Sequence, residues 1–376
     1  MKILSKIIKI KDSVDVYQIP IDEHSEKLQF YKINTRERSS IRVAKEFSLI
    51  LSKLDGKLSL GEVLAHYGFT TDEAELSEIV DYLLEHGYAI SIDSNFSKAI
   101  STNNMERYIR QINYFDDLVV TRSGVDSQYI LAEKAVVVIG CGAVGGAIAT
   151  HLVRAGVTDV TLVDYKKVRL SDAQRHLYYR ADEVGNLKVE ALARYLRRIN
   201  SVCNVRTVSE KLIPNSDLDE LIEAKSDVVI NSADEPYIGH TTLKLGRYLW
   251  ARNIALYVAG GFDAHAMSTG EFIINGLTPC ADCCSNTFRV ALKDWTPTYV
   301  PSYQKKTDLL IGGAGGLASQ ALFSASIGAK NIISYLIDDK TALENFEKRG
   351  EYLIDQGKMT WIDLTTQEGC DVCSIR

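Results

Sequence analysis

Two groups of residues have types and spacings that chemistry would use. The first is Gly140-Cys141-Gly142-Ala143-Val144-Gly145, with Asp164 beyond it. In such a run the first glycine makes a tight turn and the second lets backbone approach a phosphate. The third lets a helix pack close to a sheet. A helix opening there points unpaired N–H groups and its positive dipole end at an anion. Asp164 falls where a ribose hydroxyl would be held. The second group is Cys280-Ala281-Asp282-Cys283 and Cys370-Asp371-Val372-Cys373. Each pair can put two thiolates on one ion, and two pairs complete the closed four-sulfur site that structural zinc prefers. That site would tie the C-terminal segment back onto its domain. Cys284 is an extra thiol able to replace Cys283. A redox role fits less well, because neither pair reads as opening a helix after a strand. Cys141 and Cys203 read as small core or loop residues.

The glycine run needs a strand before it and a helix after it. Ala135–Ile139 is a β-branched apolar run, the form of a strand buried on both faces. Val160–Val163 is a second strand and ends at Asp164. Further on, helices at Leu187–Ile199 and Leu218–Ala224 alternate with strands at Val205–Val208, Asp227–Asn231, Ala255–Val258 and Glu271–Ile274. This alternation predicts an α/β fold, a Rossmann-like, doubly wound, mostly parallel sheet. Thr287–Leu309, with Pro297 and Pro301, reads as irregular. Gly312–Gly316 opens a small-residue helix to about Ile337. Tyr352–Leu364 reads as a hairpin turning at Gln356-Gly357.

Residues 1–94 have a different character. Val14–Ile19 and Lys27–Ile33 read as strands. Ile41, Ala44, Phe47, Ile50, Leu51 and Leu54 recur at helical spacing, stopped by Asp55-Gly56. Ser59 caps a helix through Tyr67. Thr71 caps another, which ends near Gly87, and Tyr88–Ile92 is a strand. The pattern predicts a winged-helix-like α+β module over 1–94, a polar linker at Ser94–Asn104, and a second domain over 95–376. A DNA-binding winged helix is the alternative. The Thr71–Glu85 helix speaks against it, carrying Asp72, Glu73, Glu75, Glu78, Asp81 and Glu85 and no Lys or Arg, a face that phosphate would repel.

Bulk properties set further bounds. Among 376 residues, 43 Lys and Arg face 49 Asp and Glu, for a net charge of −6. Nonspecific nucleic-acid binding needs a basic surface, so it is not expected. No uninterrupted apolar run reaches membrane-spanning length, and the start, MKILSKIIKIKDS, has no clean hydrophobic signal region. Seven cysteines, an odd number, do not suggest a disulfide scaffold, and a reducing cytoplasm is the expected setting.

Taken together, GCGAVG with Asp164, RYIRQ at 107–111, Arg175, Lys188, Asp234 and the paired cysteines resemble the E1-like (ThiF/MoeB) adenylating enzymes over about Asn104–Arg376. With the N-terminal module, the resemblance is to the branch that modifies ribosomally made peptides. Clamp domains of that branch take up a leader peptide as an added strand. The resemblance implies ATP as cosubstrate with Mg²⁺, and structural zinc on Cys280, Cys283, Cys370 and Cys373. Lys188 and Arg175 match phosphate-contacting residues. Arg110 matches an arginine that reaches the nucleotide from the partner subunit of a homodimer. Asp234 matches the Mg²⁺-holding aspartate.

This chain departs from the family pattern at Lys166, where a second acid is common, and at Asp172 and His176, where Asn and Gln flank the arginine. Between Asn286 and Gly312 there is no cysteine, so no enzyme thioester is expected. The implied function is adenylation of a carboxylate on a ribosomal precursor peptide in antibiotic maturation. Its outcome would be glutamate side-chain dehydration and cyclisation, of the pantocin type. C-terminal adenylylation, of the microcin C type, and a non-catalytic leader-presenting scaffold are the alternatives. An NAD-dependent dehydrogenase would account for the glycines, but not for RYIRQ or the cysteines.

Overall fold

The computed structural model describes residues 3–92, 101–119, 122–235, 238–260, 267–294, 316–339, 343 and 346–373. The chain divides into two units, Met1–Leu131 with Ile337–Asp339, and Ala132–Leu336 with Lys340–Arg376. The first unit holds β1 (Ile7–Ile10), β2 (Val14–Pro20), β3 (Ser25–Lys32), β4 (Arg38–Ala44), α1 (Lys45–Leu51), β5 (Asp55–Ser59), α2 (Leu60–Tyr67), α3 (Glu73–Glu85), β6 (Ala89–Ser91), α4 (Thr102–Leu118) and α5 (Gly124–Ala132). Strands β2, β3 and β4 form an antiparallel meander, and β1 pairs with β5 and β6. Leu28 and Phe30 of β3 share a core with Phe47, Ile50, Leu60, Val63 and Val80.

The helix expected from Ile41 begins only at Lys45, because Arg38–Ala44 is β4. Ile41 lies opposite Leu28 and Val43 opposite Glu26 on β3, and this cross-strand pairing overrides a short run of helical spacing. Ser59 does cap α2, in a reciprocal capping box with Glu62. For α3 the cap is Asp72, not Thr71: its carboxylate accepts from the Ala74 and Glu75 N–H groups. The stretch read as a linker falls partly on 93–100, outside the described residues, and partly on α4, which Ser101 caps. The RYIRQ segment lies inside α4.

The second unit holds β7 (Ala135–Ile139), α6 (Ala143–Ala155), β8 (Asp159–Val163), α7 (Lys188–Ile199), β9 (Asn204–Val208), α8 (Leu218–Leu221), β10 (Val228–Asn231), α9 (Ile238–Trp250), β11 (Ala255–Val258), β12 (Glu271–Ile273), α10 (Ala281–Ala291), α11 (Ala318–Leu336), β13 (Lys348–Leu353) and β14 (Lys358–Asp363). The central sheet has the order β12-β11-β10-β7-β8-β9. All its pairings are parallel except that of β12 with β11. Every residue of β7 and of β10 is buried, which is why these strands read as continuous apolar runs. From β7 the chain moves to β8 on one side, then returns to β10 on the other. That reversal opens a crevice at the C-terminal ends of β7 and β10, where doubly wound sheets bind ligands.

Three expectations need correction. The helix at Leu218 stops at Leu221 rather than Ala224. Helix α9 had no counterpart in the sequence reading. Thr287–Ala291 is the end of α10 rather than irregular chain, while Pro297, Pro301 and Gly312 lie outside the described residues. β13 and β14 form the expected hairpin, with Gly357 at φ 61° in the turn. Among the described residues no helix is long and apolar enough to cross a membrane.

Candidate nucleotide cradle and cysteine cluster

The glycine turn joins β7 to α6. Gly140 has φ 92°, and a Cβ there would lie 2.7 Å from the Ser232 carbonyl carbon just past β10. Only glycine satisfies both the left-handed backbone and that approach. At Gly145 a Cβ would lie 2.0 Å from the Gly140 carbonyl oxygen, so this position seats α6 on the turn. Around Gly142 a Cβ would meet nothing within 4 Å. Gly142 caps α6 without a side chain, leaving its first N–H groups for an anion. Asp164 braces the turn from the end of β8. One carboxylate oxygen accepts from the Cys141 N–H at 2.8 Å and the other from the Lys166 N–H at 2.8 Å. Each oxygen keeps a second lone pair for a ribose hydroxyl.

Lys166 proves to be a hub. Besides its N–H to Asp164, its carbonyl accepts from the Lys188 N–H at 2.9 Å. Its ammonium lies 2.6 Å from Glu235 and 3.7 Å from Asp234. Asp234 follows β10, and its side chain is 83% exposed. A largely exposed carboxylate of this kind suits Mg²⁺, which takes one or two carboxylates, substrate phosphates and several waters. Glu235 also accepts from Tyr165 and pairs with Lys211 at 3.2 Å.

Lys188 opens α7. Its ammonium lies 3.2 Å from one Asp172 oxygen, which also accepts from the Arg169 N–H at 2.9 Å. The other Asp172 oxygen is 3.4 Å from His176 Nε2. Asp172 and His176 are both buried. Burial alone would raise the Asp172 pKa, but the Arg169 N–H, His176 and Lys188 together hold it below the usual carboxylate range. Burial, followed by the Lys188 charge, pushes His176 down to about 4 against the pull of Asp172. The imidazole is therefore neutral at pH 7. His176 Nδ1 and the neighbouring Arg175 Nε are buried with no hydrogen-bond partner among the described residues. A buried guanidinium N–H without an acceptor is costly unless an anion supplies one.

Tyr178 lies behind the turn. Its hydroxyl donates to the Cys141 carbonyl, and its ring would meet a Cβ on Gly146 at 2.8 Å. The ring centroid is 5.1 Å from that of His176. No spacing in the sequence marks Tyr178 or the hub role of Lys166. Arg110, on α4 of the first unit, is exposed.

The four cysteines converge. Sγ atoms of Cys280, Cys283, Cys370 and Cys373 all lie within 4.8 Å of one another. Cys280 and Cys370 are 3.6 Å apart, and Cys283 and Cys373 3.7 Å. A tetrahedron with metal–sulfur bonds of about 2.3 Å has edges of about 3.8 Å, so the cluster fits zinc. The Gln367 N–H donates to Cys283 Sγ at 3.3 Å, the kind of outer-shell bond that steadies a thiolate ligand. Contrary to the sequence reading, Cys280 does open a helix, as the N-cap of α10. Cys284 points elsewhere, towards the Pro279 carbonyl at 3.7 Å.

Comparison with known proteins agrees with this architecture. Bovine (Bos taurus) adenylyltransferase and sulfurtransferase MOCS3 is 35% identical over 136 residues, 36% of this chain and 28% of that protein. Escherichia coli (strain K12) molybdopterin-synthase adenylyltransferase is 29% identical over 189 residues, 50% of this chain and 71% of that one. The chain thus spans little more than a quarter of the bovine relative. Among solved structures, E. coli MccB with AMPCPP and MccA has a TM-score of 0.70 at 18% identity, over 97% of this chain and 99% of that one. PaaA has a TM-score of 0.66 at 20% identity, over 93% and 98%. At these identities the likeness is one of fold. The ThiF family model matches residues 114–347, a span that holds the glycine turn, Lys166, Arg175, Lys188 and Asp234, and the chain belongs to the ThiF family.

Proposed function

We propose that this protein uses MgATP to adenylate a carboxylate on a ribosomally made precursor peptide. The carrying observation is the cationic cradle. Lys188 stands at the opening of α7, and the buried Arg175 Nε–H has no acceptor among the described residues. When a carboxylate oxygen attacks the α-phosphate and pyrophosphate leaves, charge builds on the phosphate oxygens. Fixed cations and helix N–H groups aimed there lower the barrier. Gly142 leaves room for the phosphates on a turn that Gly140 and Gly145 shape, Asp164 takes the ribose, and Lys188 and Arg175 hold the phosphates. Asp234 would hold Mg²⁺, which supplies charge neutralisation between the phosphates. Arg110 completes the site from the second subunit of a homodimer.

The N-terminal module over 1–94 takes the leader peptide as an added strand, a mode in which main-chain hydrogen bonds give affinity and tolerate varied sequence. Solved MccB structures that contain MccA support a peptide substrate. Asp172 and His176 replace the family's usual amides. Their presence favours a proton-transferring second step, glutamate dehydration and ring closure, over C-terminal adenylylation. The test is ATP–pyrophosphate exchange with the peptide encoded beside this gene, followed by mass spectrometry. Exchange that vanishes in Lys188→Ala, with loss of one water from the peptide, is expected. Normal peptide binding with no exchange would leave a scaffold instead.

A further inference from the structure

Asp172 is buried in a phosphate cradle, where a carboxylate repels what the cradle is built to hold. Its surroundings show what occupies it. One oxygen faces the Lys188 ammonium at 3.2 Å and the Arg169 N–H at 2.9 Å. The other faces His176 Nε2 at 3.4 Å. With Nε2 turned to a carboxylate, the neutral imidazole keeps its proton on Nε2 and its lone pair on Nδ1. That Nδ1 is buried and has no hydrogen-bond partner among the described residues. Asp172 thus joins a phosphate-binding lysine to an imidazole whose acceptor nitrogen is unused.

The two steps of the reaction differ in their need for such a nitrogen. Adenylation begins from an ionised carboxylate and moves no proton. The following attack must move one. An N–H nucleophile of the peptide forms a bond to the acyl carbon, and the C–O bond to AMP breaks. AMP leaves with the electron pair, and the proton needs an acceptor.

We propose that Asp172 exchanges partners when phosphate enters: it gives up Lys188 to the phosphate and keeps His176, whose Nδ1 then takes the proton released as the activated acyl group is attacked. This rests on the nucleotide reading above. The groups facing His176 are Asp172, Lys188, Arg175 and the Tyr178 ring. Burial is the largest cause of the low basicity of His176, and the Lys188 and Arg175 charges lower it further. Phosphate neutralises those charges, and Asp172, relieved of Lys188, is left with His176 and the Arg169 N–H. Both changes raise its basicity, so the base is armed only when nucleotide is bound.

AMPCPP, which lacks the scissile α–β bridging oxygen, isolates the binding event. In the full-length protein with labelled histidines, the NMR titration of His176 is followed without and with saturating Mg²⁺–AMPCPP, and His176→Gln identifies its signal. The titration should move up by about one unit or more. Calorimetry should show AMPCPP binding Asp172→Asn about threefold tighter or more, since Lys188 is no longer engaged. A His176 signal that stays put with AMPCPP bound overturns the proposal alone, as does weaker AMPCPP binding by a folded Asp172→Asn. Failure of wild-type protein to bind AMPCPP overturns both the proposal and the nucleotide reading. The wild-type titration stands even if Asp172→Asn does not fold.

Discussion

Arg175 Nε and His176 Nδ1 are buried polar atoms on neighbouring residues, and neither has a hydrogen-bond partner among the described residues. A guanidinium and a neutral imidazole tolerate this for opposite reasons. Arg175 would gain an acceptor from a bound anion, whereas His176 avoids the desolvation of a charge by shedding its proton. The second effect has a pH signature. The folded value for His176 is about 4, below its ordinary 6.5. Between those values the unfolded chain binds a proton that the folded chain does not. Stability therefore rises with pH across the window and falls on acidification, by on the order of 2–3 kcal/mol. Asp172 is shifted down from 3.8, so its own contribution is lost only below the window. Urea denaturation of His176→Gln between pH 6.5 and 4 should lose much of this slope, and a slope as steep as wild type would remove the account. Gly140, Gly145 and Asp164 were legible in the sequence because the turn dictates both their types and their spacing. Tyr178 and Lys166 were not. Each acts through hydrogen bonds to distant backbone or partners, and the chemistry of a tyrosine or lysine does not announce a tertiary partner.

The same contrast holds for whole elements. β7 and β10 were read correctly because burial on both faces leaves an unbroken apolar run. β4 was misread because its identity comes from its neighbour β3 rather than from its own spacing. Helix α9 went unread although its role is clear in the fold. Asn231 at the end of β10 donates to Thr241 and Thr242 on α9, at 2.9 and 3.0 Å. A Cβ on Gly246 would meet the Ala281 Cβ at 2.3 Å, which sets α9 tight against α10. Through Cys280 and Cys283, α10 in turn meets the tail at Cys370 and Cys373. The tail segment has little apolar burial of its own, and Cys370 and Cys373 are only half-buried. A zinc ion on the four cysteines would then be the chief force holding it. Purified protein should carry one zinc per chain. Cys373→Ser should lose it, expose the segment after Leu364 to protease, and lower the unfolding midpoint by about 4 °C or more. Unchanged zinc content and midpoint would show that the cysteines merely cluster.

At the scale of the molecule, the residues assigned to one reaction are spread over two units. Lys188, Arg175, Asp164 and Asp234 belong to the second unit and Arg110 to the first. Within the first unit, α4 is tied to the turns that follow β1 and β3. The Lys11 ammonium donates to the Asp116 carbonyl, and Ser13 and Asn34 both donate to the Asp117 carboxylate, the latter at 2.6 Å. Burial lowers Lys11 to about 8, so this polar lock is itself desolvated and sensitive to any loss of fit. The lock steadies the helix that carries Arg110, so an arginine acting across a subunit boundary would be held in place by the N-terminal module of its own chain.

If Arg110 acts in the partner's cradle, Arg110→Ala and Asp234→Ala are each inactive alone for complementary reasons. A dimer of one with the other has one wholly defective site and one in which every required side chain is present. Random pairing of the two variants, in equal amounts, then restores about a quarter of wild-type pyrophosphate exchange. Should confirmed heterodimers stay at the level of the single variants, the arginine serves its own chain's cradle, and the site is not shared between subunits.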